Sequence, residues 1–184
     1  MRYTAWLVVL AGAVLAGRLA LADDKKEVVV DLDGLKSKAP KEWKEEKPSN
    51  RMRYMQFRLP KADGDKDDAE LQIFKDLGGS AKDNVKRWQG QFTPPKGKDI
   101  DDVSKVTELK IGGHPATMLD IHGTYLMKTR PLDPADKGEK REDYRMLAIH
   151  LKTTDHLFHI KLIGPAKTVE QYKKGFDEWL KNFK

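Results

Sequence analysis

Residues 164–183 read GPAKTVEQYKKGFDEWLKNF, and the spacing of their apolar side chains decides what this chain can build. Val169, Tyr172, Phe176, Trp179, Leu180 and Phe183 recur at three- and four-residue steps, which sets them on one face of a helix. Thr168 is the expected N-cap, Gln171 completes a capping box, and Pro165 lies just upstream, where helix entry tolerates it. A stripe this apolar must be buried. At roughly 1.5–3 kcal/mol for each large side chain it is a main contributor to the core, resting on a sheet.

The segments before it supply that sheet. Tyr144–Thr153 and His156–Ile163 read as a hairpin turned by Thr154-Asp155, a register that sets Ile149 opposite Ile160, Leu151 opposite Phe158 and His150 opposite His159. Val106–Ile111 and Ala116–Met127 read as a second pair joined through Gly112-Gly113-His114-Pro115, whose glycines allow the positive backbone angles of a tight turn. Further upstream, Ser80 caps a helix with Asp83 in the capping-box position. Ala81, Val85, Trp88 and Phe92 form its stripe, and Thr93-Pro94-Pro95 stops it.

Arg53–Leu59 alternates, with Met55, Phe57 and Leu59 on one face. Ala69–Phe74 is its expected partner across the polar loop 60–68, and Val28–Leu32 reads as a first short strand. The longest irregular segment is Lys128–Asp143, which exceeds the usual hairpin loop; it reads as a mobile insertion or a partner-binding loop. The order of elements predicts an α+β fold, a mainly antiparallel sheet flanked by helices with the C-terminal helix packed on it.

Residues 1–22 have a different character. Met1-Arg2 gives a charged start, Ala5–Ala16 an apolar run, and Ala20-Leu21-Ala22 a small-x-small cleavage pattern, so they read as a signal peptide cleaved after Ala22. The apolar run is shorter than the ~20 residues that span a bilayer, and no stable membrane insertion is expected after cleavage. A single domain, 23–184, would then work in the periplasm or outside the cell. The chain has no cysteine, which rules out a lipobox, disulfides and thiolate metal sites.

The net charge is +6, from 35 basic and 29 acidic side chains. Without Arg2 and Arg18 it falls to +4, with both signs interspersed, which describes a solvated surface and not a nucleic-acid stripe.

Three short motifs carry a resemblance: Ala39-Pro40-Lys41-Glu42-Trp43, Ile111-Gly112-Gly113-His114-Pro115-Ala116, and Gly164-Pro165-Ala166 leading to Tyr172 and Phe176. In these the chain resembles the PsbP-like superfamily. The resemblance implies an α/β/α sandwich serving as a non-catalytic docking or accessory module, and it carries no catalytic residue over.

The residues themselves supply no catalytic motif. Ser37, Ser49, Ser80 and Ser104 lie in no Gly-x-Ser-x-Gly elbow. Gly78-Gly79-Ser80-Ala81-Lys82 lacks P-loop spacing. Asp63–Phe74 fails as an EF-hand, with Asp68 where glycine is required and Phe74 where a bidentate Glu should stand. The sharper candidate is a metal site on His150 and His159, with His122 or Asp120, placed by alternation relative to Leu119 and Ile121, as a third ligand. Its bland counterpart is a pair of histidines on a half-covered sheet face beside Lys152 and Lys161. The sequence therefore predicts an exported, non-catalytic domain without a cofactor, binding an unknown protein or small ligand. The alternative is a metal-binding protein or metal-dependent hydrolase built on the histidine pair.

Overall fold

Alternation and turn chemistry produce a meander of strands broken by two helices. The computed structural model describes residues 27–128, 133 and 135–184; the expected signal peptide and cleavage site, and part of the 128–143 segment, lie outside them. The elements run β1 (Val29–Leu32), β2 (Leu35–Lys38), β3 (Lys44–Glu46), β4 (Arg53–Leu59), β5 (Ala69–Lys75) and α1 (Ala81–Gln89). Then come β6 (Phe92–Thr93), a 3-10 turn (Ile100–Val103), β7 (Ser104–Ile111), β8 (His114–Met127), β9 (Glu139–Lys152), β10 (Leu157–Pro165) and α2 (Ala166–Lys181).

Eight strands form one sheet in the order β3-β4-β5-β10-β9-β8, with β6 and β7 sharing the outer edge of β8. Every pairing in it is antiparallel. The β9–β10 register is the expected one, with Ile149 opposite Ile160 and His150 opposite His159. Gly112 and Gly113 turn β7 into β8 at φ 56° and 85°, the left-handed conformation two-residue hairpins demand.

One face of the sheet is covered by α2. Leu71, Ile73, Leu147, Ile149, Phe158, Ile160 and Leu162 point into a core closed by the whole apolar stripe of the helix. The hairpin β1–β2 joins the same layer through Val30 and Leu32, and Ser37 donates its hydroxyl to the Trp179 carbonyl at 2.9 Å. The opposite face carries α1, whose Val85 and Trp88 pack with Phe92 on Leu119, Ile121, Met146, Ala148 and Ile163. These sheet residues belong to β8, β9 and β10; α1 does not cover the same face of β4 and β5, where a groove remains.

Local details depart from the sequence reading. Thr168 is not the N-cap of α2: the helix begins at Ala166, and Thr168 instead faces the 60–68 loop, donating to Asp65 and accepting from the Ala62 N–H. The long-range carboxylate has replaced the local cap. Phe92 is outside α1, which ends at Gln89; it pairs with Tyr125 in β6 and remains buried. Residues 139–143 are strand, not irregular loop, because Glu139, Lys140 and Arg141 ladder onto Met127, Leu126 and Tyr125. Strands β2, β3 and β6 add to those the sequence predicts; they are two to four residues long and carry no apolar alternation of their own.

Candidate functional site

His150 and His159 meet across the β9–β10 ladder, Nδ1 of the first 3.2 Å from Nε2 of the second. His159 is 2% exposed, and its ring stands perpendicular to Trp88 of α1 at 5.4 Å. Burial holds both imidazoles below the ordinary histidine range, His159 at about 3 with the His150, Arg87 and Lys161 charges adding to the effect. Two neutral rings can share one N–H···N bond, which leaves His159 Nδ1 buried without a partner among the described residues. The row continues outward to Thr117, opposite His150, and Glu108, which accepts the Thr117 hydroxyl at 3.0 Å.

The other two expected ligands are elsewhere. Asp120 and His122 alternate with Leu119 and Ile121, and they pair with Leu147 and Arg145 on the α2 face. Asp120 accepts two hydrogen bonds from Arg145, at 2.8 and 2.7 Å, and Arg145 also donates to Glu170 of α2. His122 is exposed. The structure thus brings His150 and His159 together and sets Asp120 and His122 across the sheet from them, because a one-residue change of parity reverses the face. Among the described residues no group of three or more histidines or acids is arranged to hold a metal ion.

The open half of the α1 face forms a groove of about 700 Å³ between the end of α1 and the β3–β4 edge. Its floor is polar. Arg53 donates to Glu70 at 2.9 Å, Gln56 links Glu46 to Glu70, and Arg58 binds Glu46 and Asp68 at 2.7 and 3.0 Å. At the opposite wall Arg141 Nη1 and the Tyr144 hydroxyl both donate to the same oxygen of Asp67, each at 2.9 Å. Burial and this acceptor raise the Tyr144 phenol well above its ordinary range. Tyr125 stacks on Tyr144, centroids 6.1 Å apart and planes 12° from parallel.

Lys161 enters this groove from the central strand β10. It lies opposite Gln72 and Ala148, its ammonium 5.7 Å from the Trp88 ring centre, and it donates to Gln91 Oε1 at 3.3 Å. No carboxylate forms an ion pair with it among the described residues. Burial, with Arg87 and Arg53 adding like charge, depresses its pKa to about 7. The sequence did hold a signal: a lysine at an inward parity within Phe158–Ile163 interrupts a strand otherwise fit for burial. Arg53, Gln72, Tyr125, Arg141 and Tyr144 gave none, since only the fold brings them together. The groove as a whole mixes charged, polar and aromatic side chains.

No protein-family model matches the chain, and no curated protein matches it in sequence. Among solved structures it is similar to the solution structure of cyanobacterial PsbP from Synechocystis sp. PCC 6803, at 14% identity and a TM-score of 0.47, covering 83% of this chain and 86% of that one. It is also similar to the crystal structure of a protein of unknown function from Pseudomonas aeruginosa, at 15% identity and a TM-score of 0.43, covering 83% of this chain and 92% of that one. The likeness in each case is one of fold.

Proposed function

We propose that this chain is an exported binding or accessory domain whose recognition surface is the groove on the open half of the sheet. Residues 1–22 act as a cleaved signal, and 23–184 form the domain that works in the periplasm or beyond the cell. The observation that carries the reading is the incomplete cover of one sheet face. Helix α1 covers only part of β8, β9 and β10, and beside it β4 and β5, with Tyr125, Arg141, Tyr144 and Lys161 of β8, β9 and β10, line a groove of about 700 Å³, within the ~300–1,000 Å³ typical of ligand pockets. A sheet face left open at such a size, with aromatic rings on one wall and ordered charge networks on its floor, has the make-up of a binding site. Among the described residues no helix is long and apolar enough to cross a membrane.

Native mass spectrometry of the protein purified from its own export compartment, beside a Gln72→Trp variant that fills the groove, tests this reading. The expected species is a chain beginning at Asp23 that retains a ligand or partner, with the retained mass lost in the variant. A chain beginning at Met1, a mass retained equally by both proteins, or none retained by either overturns it.

A further inference from the structure

The groove's charges are not equally engaged. Arg53 is matched by Glu70, Arg58 by Glu46 and Asp68, and Arg141 by Asp67 and Glu139. Lys161 has three donors and one long bond to a neutral amide, and the cations nearest in effect, Arg87 and Arg53, repel it. Holding an ammonium there costs folding free energy that an apolar residue would not, on a strand face whose next residue, Ile163, is a buried hydrophobic and whose covering ring is Trp88. Beyond the Trp88 ring and the Gln91 amide it has no partner among the described residues, and a lysine so placed, facing a cavity, marks a site of interaction.

We propose that the groove binds a small organic monocarboxylate, its carboxylate on the Lys161 ammonium and its apolar body against the Tyr125 and Tyr144 rings. This rests on the groove being the recognition surface and adds the chemistry of what it recognises. A cationic ligand would find the groove's carboxylates already engaged. A dianion such as phosphate would meet the same carboxylates, Glu46, Asp67, Asp68 and Glu70, as repulsion. A single negative charge on a flat apolar body suits both the Lys161 ammonium, which has no carboxylate partner among the described residues, and the stacked Tyr125 and Tyr144 rings that line the same groove.

The probe is sodium benzoate, with benzamide as its neutral counterpart of the same shape, titrated into the exported form of the protein and followed by amide NMR shifts. Benzoate is expected to move the amides of residues 70–74 and 161–163 and to bind about tenfold or more tighter than benzamide. Lys161→Met should reduce benzoate to the affinity of benzamide. Because that variant removes an unmatched charge, a cooperative thermal transition is expected to verify its fold, and Lys161→Gln serves if the methionine packs poorly. Equal binding of the two probes, a benzoate preference that survives Lys161→Met, or shifts that fall outside the groove overturn the proposal. Equal binding within the groove leaves the recognition surface standing and removes only the role of Lys161, so the two readings fail separately.

Discussion

The Asp65 carboxylate accepts hydrogen bonds from both the backbone N–H and the hydroxyl of Thr168, at 2.9 and 2.5 Å, so a loop 103 residues away supplies the start of α2 with its anion. Pro165 occupies the N-cap position and offers no side-chain acceptor, and an anion at this end also suits the helix dipole. Asp65→Ala should lower stability in urea by about 1–2 kcal/mol, the usual cost of a lost cap. An unchanged urea midpoint would show that water caps the helix equally well.

The histidine pair makes the fold sensitive to acid. Both rings are neutral when folded and have depressed pKa values, so the unfolded chain takes up protons first as pH falls below about 6.5. Stability is whole above that pH and declines below it, for His159 down to about 3. For His159 the slope approaches about 1.4 kcal/mol per pH unit, and His150 acts in the same direction. The double variant His150→Leu/His159→Leu should flatten the pH dependence of the thermal midpoint between pH 6.5 and 4; parallel curves for the two proteins would contradict the assignment.

Lys161→Met should stabilise the protein, by on the order of 1 kcal/mol, since it exchanges a poorly paired cation for a side chain its apolar neighbours accept. A gain in thermal midpoint together with loss of binding is the behaviour of a residue kept for function. A lowered midpoint would mean that the contact with Trp88 outweighs desolvation.

Arg145 ties the sheet to α2 through Asp120 and Glu170, and both members of its bidentate pair are about one-fifth exposed. Arg145→Met leaves Asp120 without its cation and should cost about 1–3 kcal/mol in chemical denaturation. Adding Asp120→Leu should recover part of that loss; full additivity of the two changes would show that they do not interact.

Ending the chain at Lys174 removes Phe176, Trp179, Leu180 and Phe183 from the core. Their burial, at roughly 1.5–3 kcal/mol each, is comparable with the whole ~5–15 kcal/mol stability of a domain. Calorimetry should show no cooperative transition for this truncation.

Period and turn chemistry made most of this architecture legible. The stripe of α2, the Gly112-Gly113 turn and the β9–β10 register follow from local spacing, which a sheet with one strongly apolar face enforces. What spacing could not supply was anything joined over long distance. Thr168 reads as a cap until the 60–68 loop brings Asp65 to it. Asp120 and His122 read as companions of His150 until the β8–β9 register turns them to the other face. The groove depends on β4, β5 and β10 lying side by side, although more than eighty residues of sequence separate β5 from β10.

Strand β10 lies between β5 and β9, and it alone connects the β3–β4–β5 ladder to the β6–β9 ladder among the described residues. A chain emerging from the ribosome therefore holds two separate fragments of sheet until residues 157–165 appear, and the larger core waits longer still for α2. Non-local pairing of this kind delays folding. Joining of the sheet and closure of the larger core therefore both wait on residues 157–183, and assembly of this fold is a late event that cannot be completed piecewise as the chain lengthens.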